Sequence, residues 1–152
     1  MMKPLFLFAL LILTPSPNIR AQSKPAPKLG VVTAQSRLDG CGCSVYRTAD
    51  DHKNDRFLFV SDMDREAVIH LDGQDVKLRV LSWREKKGQL RVGERSSETY
   101  ASGNVSVRLD FTVRRLCPPK DESCEATWYD VKMSVTRGRQ RTTVNAKGVC
   151  GC

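Results

Sequence analysis

The stretch Val105-Ser106-Val107-Arg108-Leu109-Asp110-Phe111-Thr112-Val113-Arg114 puts an apolar residue at every odd position and a polar one at every even position. A period of two marks a β-strand with one face in a core and the other in water. Val76-Lys77-Leu78-Arg79-Val80 repeats the pattern, as does Val131-Lys132-Met133-Ser134-Val135-Thr136, and Leu90-Arg91-Val92 is a shorter copy. Residues 57–60 and 67–71 are apolar, rich in aromatic or β-branched side chains, and of strand length.

Turn signals separate these runs: Asp72-Gly73, Lys87-Gly88, Ser102-Gly103-Asn104 and Arg137-Gly138. Glycine there supplies the positive φ of a tight hairpin. No window of helical length has a 3.6-residue period, and residues 47–56, which include Thr48, Asp50, Asp51, His52 and Lys53, read as a polar loop. The expected fold is all-β: a small antiparallel meander, closed or nearly closed into a barrel, because closure hides the edge strands.

The first residues stand apart. Met1-Met2-Lys3 is a short basic start, residues 4–13 are almost wholly apolar, and Thr14-Pro15-Ser16-Pro17 breaks the run. This is the pattern of a secretory signal peptide, expected to be cut after Ala21. The run is about half of the ~20 residues that span a bilayer, so no transmembrane segment is expected. Residues 22–30 are polar and carry two prolines, which reads as a disordered leader. Residues 31–152 then form a single β domain without internal repeats. Loss of residues 1–21 removes Lys3 and Arg20 and no acidic residue, lowering the formal charge from +8 to +6. That excess favours polyanionic surfaces. Export directs the expectation to envelope polymers, periplasmic or extracellular, and away from nucleic acid.

Six cysteines in an exported chain imply disulfides, with 15 possible connectivities. Cys41-Gly42-Cys43 opens the domain and Cys150-Gly151-Cys152 closes it. On a strand, both cysteines of each motif project to one face. If the first and last strands pair antiparallel, Cys41 meets Cys152 and Cys43 meets Cys150, with Cα atoms near 4.5 Å in a non-hydrogen-bonded pair. The intervening glycines face the other way and leave room for a close neighbour. Cys117 and Cys124 then tie the base of a loop that Pro118-Pro119 prevents from continuing as strand. The competing reading of the two Cys-Gly-Cys motifs is a four-thiolate zinc or copper(I) site. An oxidising compartment and a pairing that consumes all four sulfurs weigh against it.

Chemistry-bearing motifs are scarce. His70 sits within a strand and His52 follows Asp50-Asp51 in the polar loop. Asp62-Met63-Asp64 lacks the glycine and distal glutamate of a calcium loop. No nucleophile elbow, phosphate-binding glycine loop or zinc-protease motif is present. The sequence assigns no catalytic residue, no metal ligand and no cofactor. Asn104-Val105-Ser106 matches the N-glycosylation sequon. Arg137-Gly138-Arg139-Gln140-Arg141 is the densest basic run and lies at an expected hairpin tip, where arginine forks suit phosphate or carboxylate groups.

Residues 67–111 resemble the bacterial inhibitors of chicken-type lysozyme. The resemblance is carried by Val68-Ile69-His70-Leu71-Asp72-Gly73, the alternating strand after it, and Tyr100-Ala101-Ser102-Gly103-Asn104. It implies an exported antiparallel barrel with a Ser-Gly loop that enters a partner's cleft, which assigns partner contact to Ser102 and Gly103. The expected function is thus a non-enzymatic binding module. Its expected partner is a protein such as a lysozyme, or an anionic envelope polymer gripped through Arg137, Arg139 and Arg141.

Overall fold

The computed structural model describes residues 25–38, 40–64, 66–83 and 89–152. The signal-peptide stretch 1–21, residues 22–24 and the Lys87-Gly88 turn lie outside the described residues. Eight strands follow in chain order: β1 (Gly42–Tyr46), β2 (Phe59–Asp62), β3 (Glu66–Leu71), β4 (Gln74–Trp83), β5 (Arg95–Ser102), β6 (Val105–Arg115), β7 (Ala126–Arg137) and β8 (Gln140–Gly151). Each pairs antiparallel with the next, and β8 pairs with β1, so the meander closes into a barrel. No helix among the described residues is long and apolar enough to cross a membrane.

The alternation decides what is inside. Val105, Val107, Leu109, Phe111 and Val113 of β6 are all buried, while Arg108 is exposed. Val131, Met133 and Val135 of β7 face them from the neighbouring strand, in register Phe111↔Val131, Leu109↔Met133 and Val107↔Val135. Phe59, Ala67, Ile69, Leu78 and Tyr100 complete the opposite wall of one continuous core. Phe59 and Tyr100 meet edge to face with ring centroids 5.1 Å apart, as do Phe111 and Tyr129 at 5.2 Å. On β8 the inward positions are small: a Cβ on Gly148 would come within 2.9 Å of Val131 and 3.9 Å of Phe111. That gap is what the large β6 and β7 side chains fill.

Closure is covalent as well as hydrogen-bonded. Gly42 opposes Gly151 and Cys43 opposes Cys150. Disulfides join Cys41 to Cys152 and Cys43 to Cys150, with Cα atoms 4.1 and 4.0 Å apart. Cys117 and Cys124 are bonded across the β6–β7 connection. The glycines of the twin motifs are pressed against backbone. A Cβ on Gly42 would lie 1.8 Å from the carbonyl oxygen of Ser61, and one on Gly151 would lie 2.0 Å from that of Glu125.

Four local expectations differ from the structure. Residues 47–56 are not all loop: a short helix α1 (Ala49–Lys53) forms where Thr48 and Asp51 make a reciprocal capping box. Leu90-Arg91-Val92 is not a strand, and Val92 is 66% exposed. The strand lies further on at β5, whose sequence Arg-Ser-Ser-Glu-Thr-Tyr-Ala-Ser is too polar to announce itself. The third difference is the leader. From Pro27 onward it packs on the barrel rather than trailing from it. Pro27 is buried, Leu29 bridges Leu71, and Thr142 donates its hydroxyl to the Pro27 carbonyl at 2.7 Å. Two prolines and short side chains lower the entropy lost on ordering it, and the amides that remain find backbone partners in Gly30→His70 and Val32→Phe57. The folded unit therefore begins before residue 31, the fourth difference.

Candidate functional site

The meander gives the barrel two unlike ends. At one end lie the β3–β4, β5–β6 and β7–β8 turns together with the leader. At the other lie the twin disulfides, the β2–β3 turn and the longer β4–β5 and β6–β7 connections.

The turn end carries the residues singled out in the sequence. Ser102, Gly103 and Asn104 form the exposed β5–β6 tip, with Gly103 at φ 55°. The Gly138 amide of the β7–β8 tip donates to the Asn104 carbonyl at 3.2 Å, so the two tips form one continuous surface. Tyr100, two residues before Ser102, points into the core and is no part of that surface. The three arginines are used differently. Arg137 reaches Asp72 of the β3–β4 turn, and Arg141 donates to the Ser134 hydroxyl at 3.0 Å. Arg139 stays exposed at the tip.

A larger concavity runs over the outer face of β5 to β8, about 1160 Å³ in volume. The long strands coil there, with bulges at Val80/Ser82 and Val113/Arg115 that sharpen the local twist. The groove is lined by Arg47, Arg95, Arg108, Lys132 and Lys147, against only Asp110 and Asp130. Arg108 pairs with Asp110 at 2.8 Å and Lys147 with Asp130. Arg47, Arg95 and Lys132 have no carboxylate partner among the described residues. The ladder creates this grouping: Asp110 opposes Lys132, which opposes Asn145, and Thr112 opposes Asp130, which opposes Lys147. Sequence reasoning missed the groove because its cations are scattered over four strands and the residue that follows β1. The polar positions of the alternating runs were the available signal, but only the register makes them neighbours.

The disulfide end holds a smaller recess of about 320 Å³, walled by the Cys43–Cys150 bond, Ser61, Val80, Trp83, Glu98 and Tyr100. The Tyr100 hydroxyl donates to Glu98 Oε2 at 2.7 Å. Burial, and then the Glu98 charge, push ionisation of this phenol well above the usual tyrosine range. The Cys-Gly-Cys motifs placed the disulfides here, but Glu98 and Tyr100 were not legible because β5 was not recognised as a strand.

Both histidines are held by neighbouring side chains. His52 stacks on Tyr46 with centroids 4.5 Å apart, while its neighbours Asp50 and Asp51 hold Arg56. His70 Nδ1 lies 2.6 Å from Asp75, which also takes the Thr33 amide and hydroxyl. Burial would raise the Asp75 carboxyl, but hydrogen bonds from Thr33, Ser36 and His70 bring it down to about 2. The hydroxyls go to the carboxylate and not to imidazole Nε2, so the group does not make a nucleophile–base pair. Its role is to clasp the segment after the leader against β3 and β4. No group of three or more metal-ligating side chains gathers among the described residues. Compared with protein-family models, curated proteins and solved structures, the chain matches none of them.

Proposed function

We propose that this protein is an exported, non-enzymatic binding module that holds an anionic envelope polymer along the groove over β5 to β8. One observation carries the reading: five basic side chains line a single concave face, and three of them have no ion-pair partner among the described residues. Cations that the protein does not neutralise itself are available to phosphate or carboxylate groups, and a rigid closed barrel loses little entropy in presenting them. Three disulfides accord with an oxidising location outside the cytoplasm. The test is binding to polyphosphate and to an anionic glycan across a salt series. Affinity should fall with salt and drop about tenfold in Lys132→Glu or Arg95→Glu. Salt-insensitive binding, or binding unchanged in both variants, would refute the groove.

A second reading is contact with a protein partner through the turn end. The exposed Ser102–Asn104 tip, braced by Gly138, favours it. The resemblance to lysozyme inhibitors makes a chicken-type lysozyme the first partner to assay. Inhibition by the purified protein, lost on replacing Ser102 and Gly103 with bulky residues, would support this reading over the groove.

A further inference from the structure

The recess at the disulfide end has a charge opposite to that of the protein as a whole. The chain is formally +8, yet among the described residues no lysine, arginine or histidine lines this recess. Among the described residues its carboxylates are Glu98 and Asp62. Asp62 Oδ1 is engaged by the Glu66 amide at 2.9 Å. Glu98 Oε2 accepts from Tyr100, while Oε1 has no hydrogen-bond or ion-pair partner among the described residues. Apart from Ser61, the other side chains of the wall are apolar or aromatic: Val80, Trp83, the Tyr100 ring and the twin disulfides. Beside it Met63 is 74% exposed. A carboxylate set among aromatic and apolar walls is the chemistry that selects organic cations, through charge pairing at the acid and cation–π attraction at the rings. A volume of 320 Å³ has room for roughly ten non-hydrogen atoms at about 30 Å³ each.

We propose that the open end of the barrel binds a small organic cation with an apolar body, of the alkylammonium class, with the Glu98 carboxylate as its counter-ion. The site adjoins the groove over β5 to β8, with Trp83 lining both, but takes a ligand of the opposite charge, so each reading is tested by its own probes.

Three probes of similar length separate the contributions: hexyltrimethylammonium, hexanol and hexyl sulfate. Binding to the intact, oxidised protein is read by NMR at the amides of Val80, Glu98 and Tyr100, which report this end alone. The cation should bind about tenfold more tightly than the neutral alcohol, and the sulfate should not perturb these amides. Glu98→Gln keeps an acceptor for Tyr100 and removes the charge, so it should erase the preference for the cation. Val80→Phe fills the recess without touching a charge and should abolish binding of both the cation and the alcohol. Equal perturbation by sulfate and cation, no response to the cation, or an unchanged preference in Glu98→Gln would overturn the proposal.

Discussion

Arg137, at the inner edge of β7, reaches across the turn end of the barrel to the carboxylate of Asp72 in the β3–β4 turn. The same turn exchanges hydrogen bonds with the leader: the Asp72 amide donates to the Lys28 carbonyl at 2.9 Å, and the Lys28 amide donates to Asp72 Oδ1 at 3.0 Å. One carboxylate thus joins two distant strands and the segment lying over them.

This relationship makes the leader's order dependent on Asp72. Asp72→Ala should release residues 25–33 to proteolysis while the barrel stays folded, at a cost of about 1 kcal/mol for a partly exposed pair. Arg137→Ala should cost about as much but leave the Lys28 contacts intact, so the leader should remain protected. Limited proteolysis of the two variants checks the difference. Equal cleavage would show that the Asp72 carboxylate is not what holds the leader in place.

The twin disulfides should be strongly non-additive. Each alone closes a loop of more than a hundred residues, with sequence separations of 111 and 107. Once one is formed, the other closes only a small ring. In the chain-entropy model, removing either should cost about 2 kcal/mol and removing both about 7 kcal/mol. Denaturant melts of Cys41→Ala/Cys152→Ala, Cys43→Ala/Cys150→Ala and the fourfold variant test this. A fourfold cost equal to the sum of the two pairs would contradict loop closure as the source of the stability.

Period and sulfur made most of the barrel legible before its coordinates. Val105–Val113 specified an inward and an outward face, and the doubled Cys-Gly-Cys motifs specified which strands meet. What was not legible depends on partners distant in sequence. β5 is polar because the mouth of the barrel keeps Glu98 near solvent, so the alternation that marks other strands is missing. Helix α1 is held by one capping box and by Arg56, too short to show a period. The leader is ordered because the barrel end offers Leu71, Asp72, His70 and Thr142 to it. The groove follows the same logic, since Arg95, Arg108, Lys132 and Lys147 become one surface only through register.

The close approach at the twin motifs leads to a third expectation. No side chain fits at Gly42 or Gly151, because the atom a Cβ would strike is a backbone carbonyl, of Ser61 in β2 or of Glu125 just before β7, and not a movable side chain. Gly42→Ala should force β1 away from β2 and destabilise by about 2–3 kcal/mol, comparable to overpacking a core. Gly103→Ala, at an exposed turn with open space around the new methyl, should cost only about 1 kcal/mol from its positive φ. Thermal melts of the oxidised proteins rank the two, and a Gly42→Ala variant as stable as Gly103→Ala would show that the strands separate freely there.

The His70–Asp75–Thr33 clasp carries a pH dependence whose sign follows from the Asp75 carboxyl. Its acidity in the folded state, about 2 against an ordinary 3.8, means that the folded protein prefers the ionised form. The stabilisation is therefore complete above pH 4 and is lost as the pH falls from there through about 2. Thr33 and Ser36 donate to a carboxylate that protonation would blunt, so the segment after the leader should loosen first, ahead of the disulfide-closed barrel. Asp75→Asn should remove this part of the acid dependence, flattening the stability profile between pH 4 and 2 by ~1 kcal/mol after solvent screening. Hydrogen exchange at the Thr33 amide, compared with the Val107 amide in the core, separates local release from global unfolding. If both amides lose protection together in acid, the clasp is not an independent unit and the barrel itself is titrating.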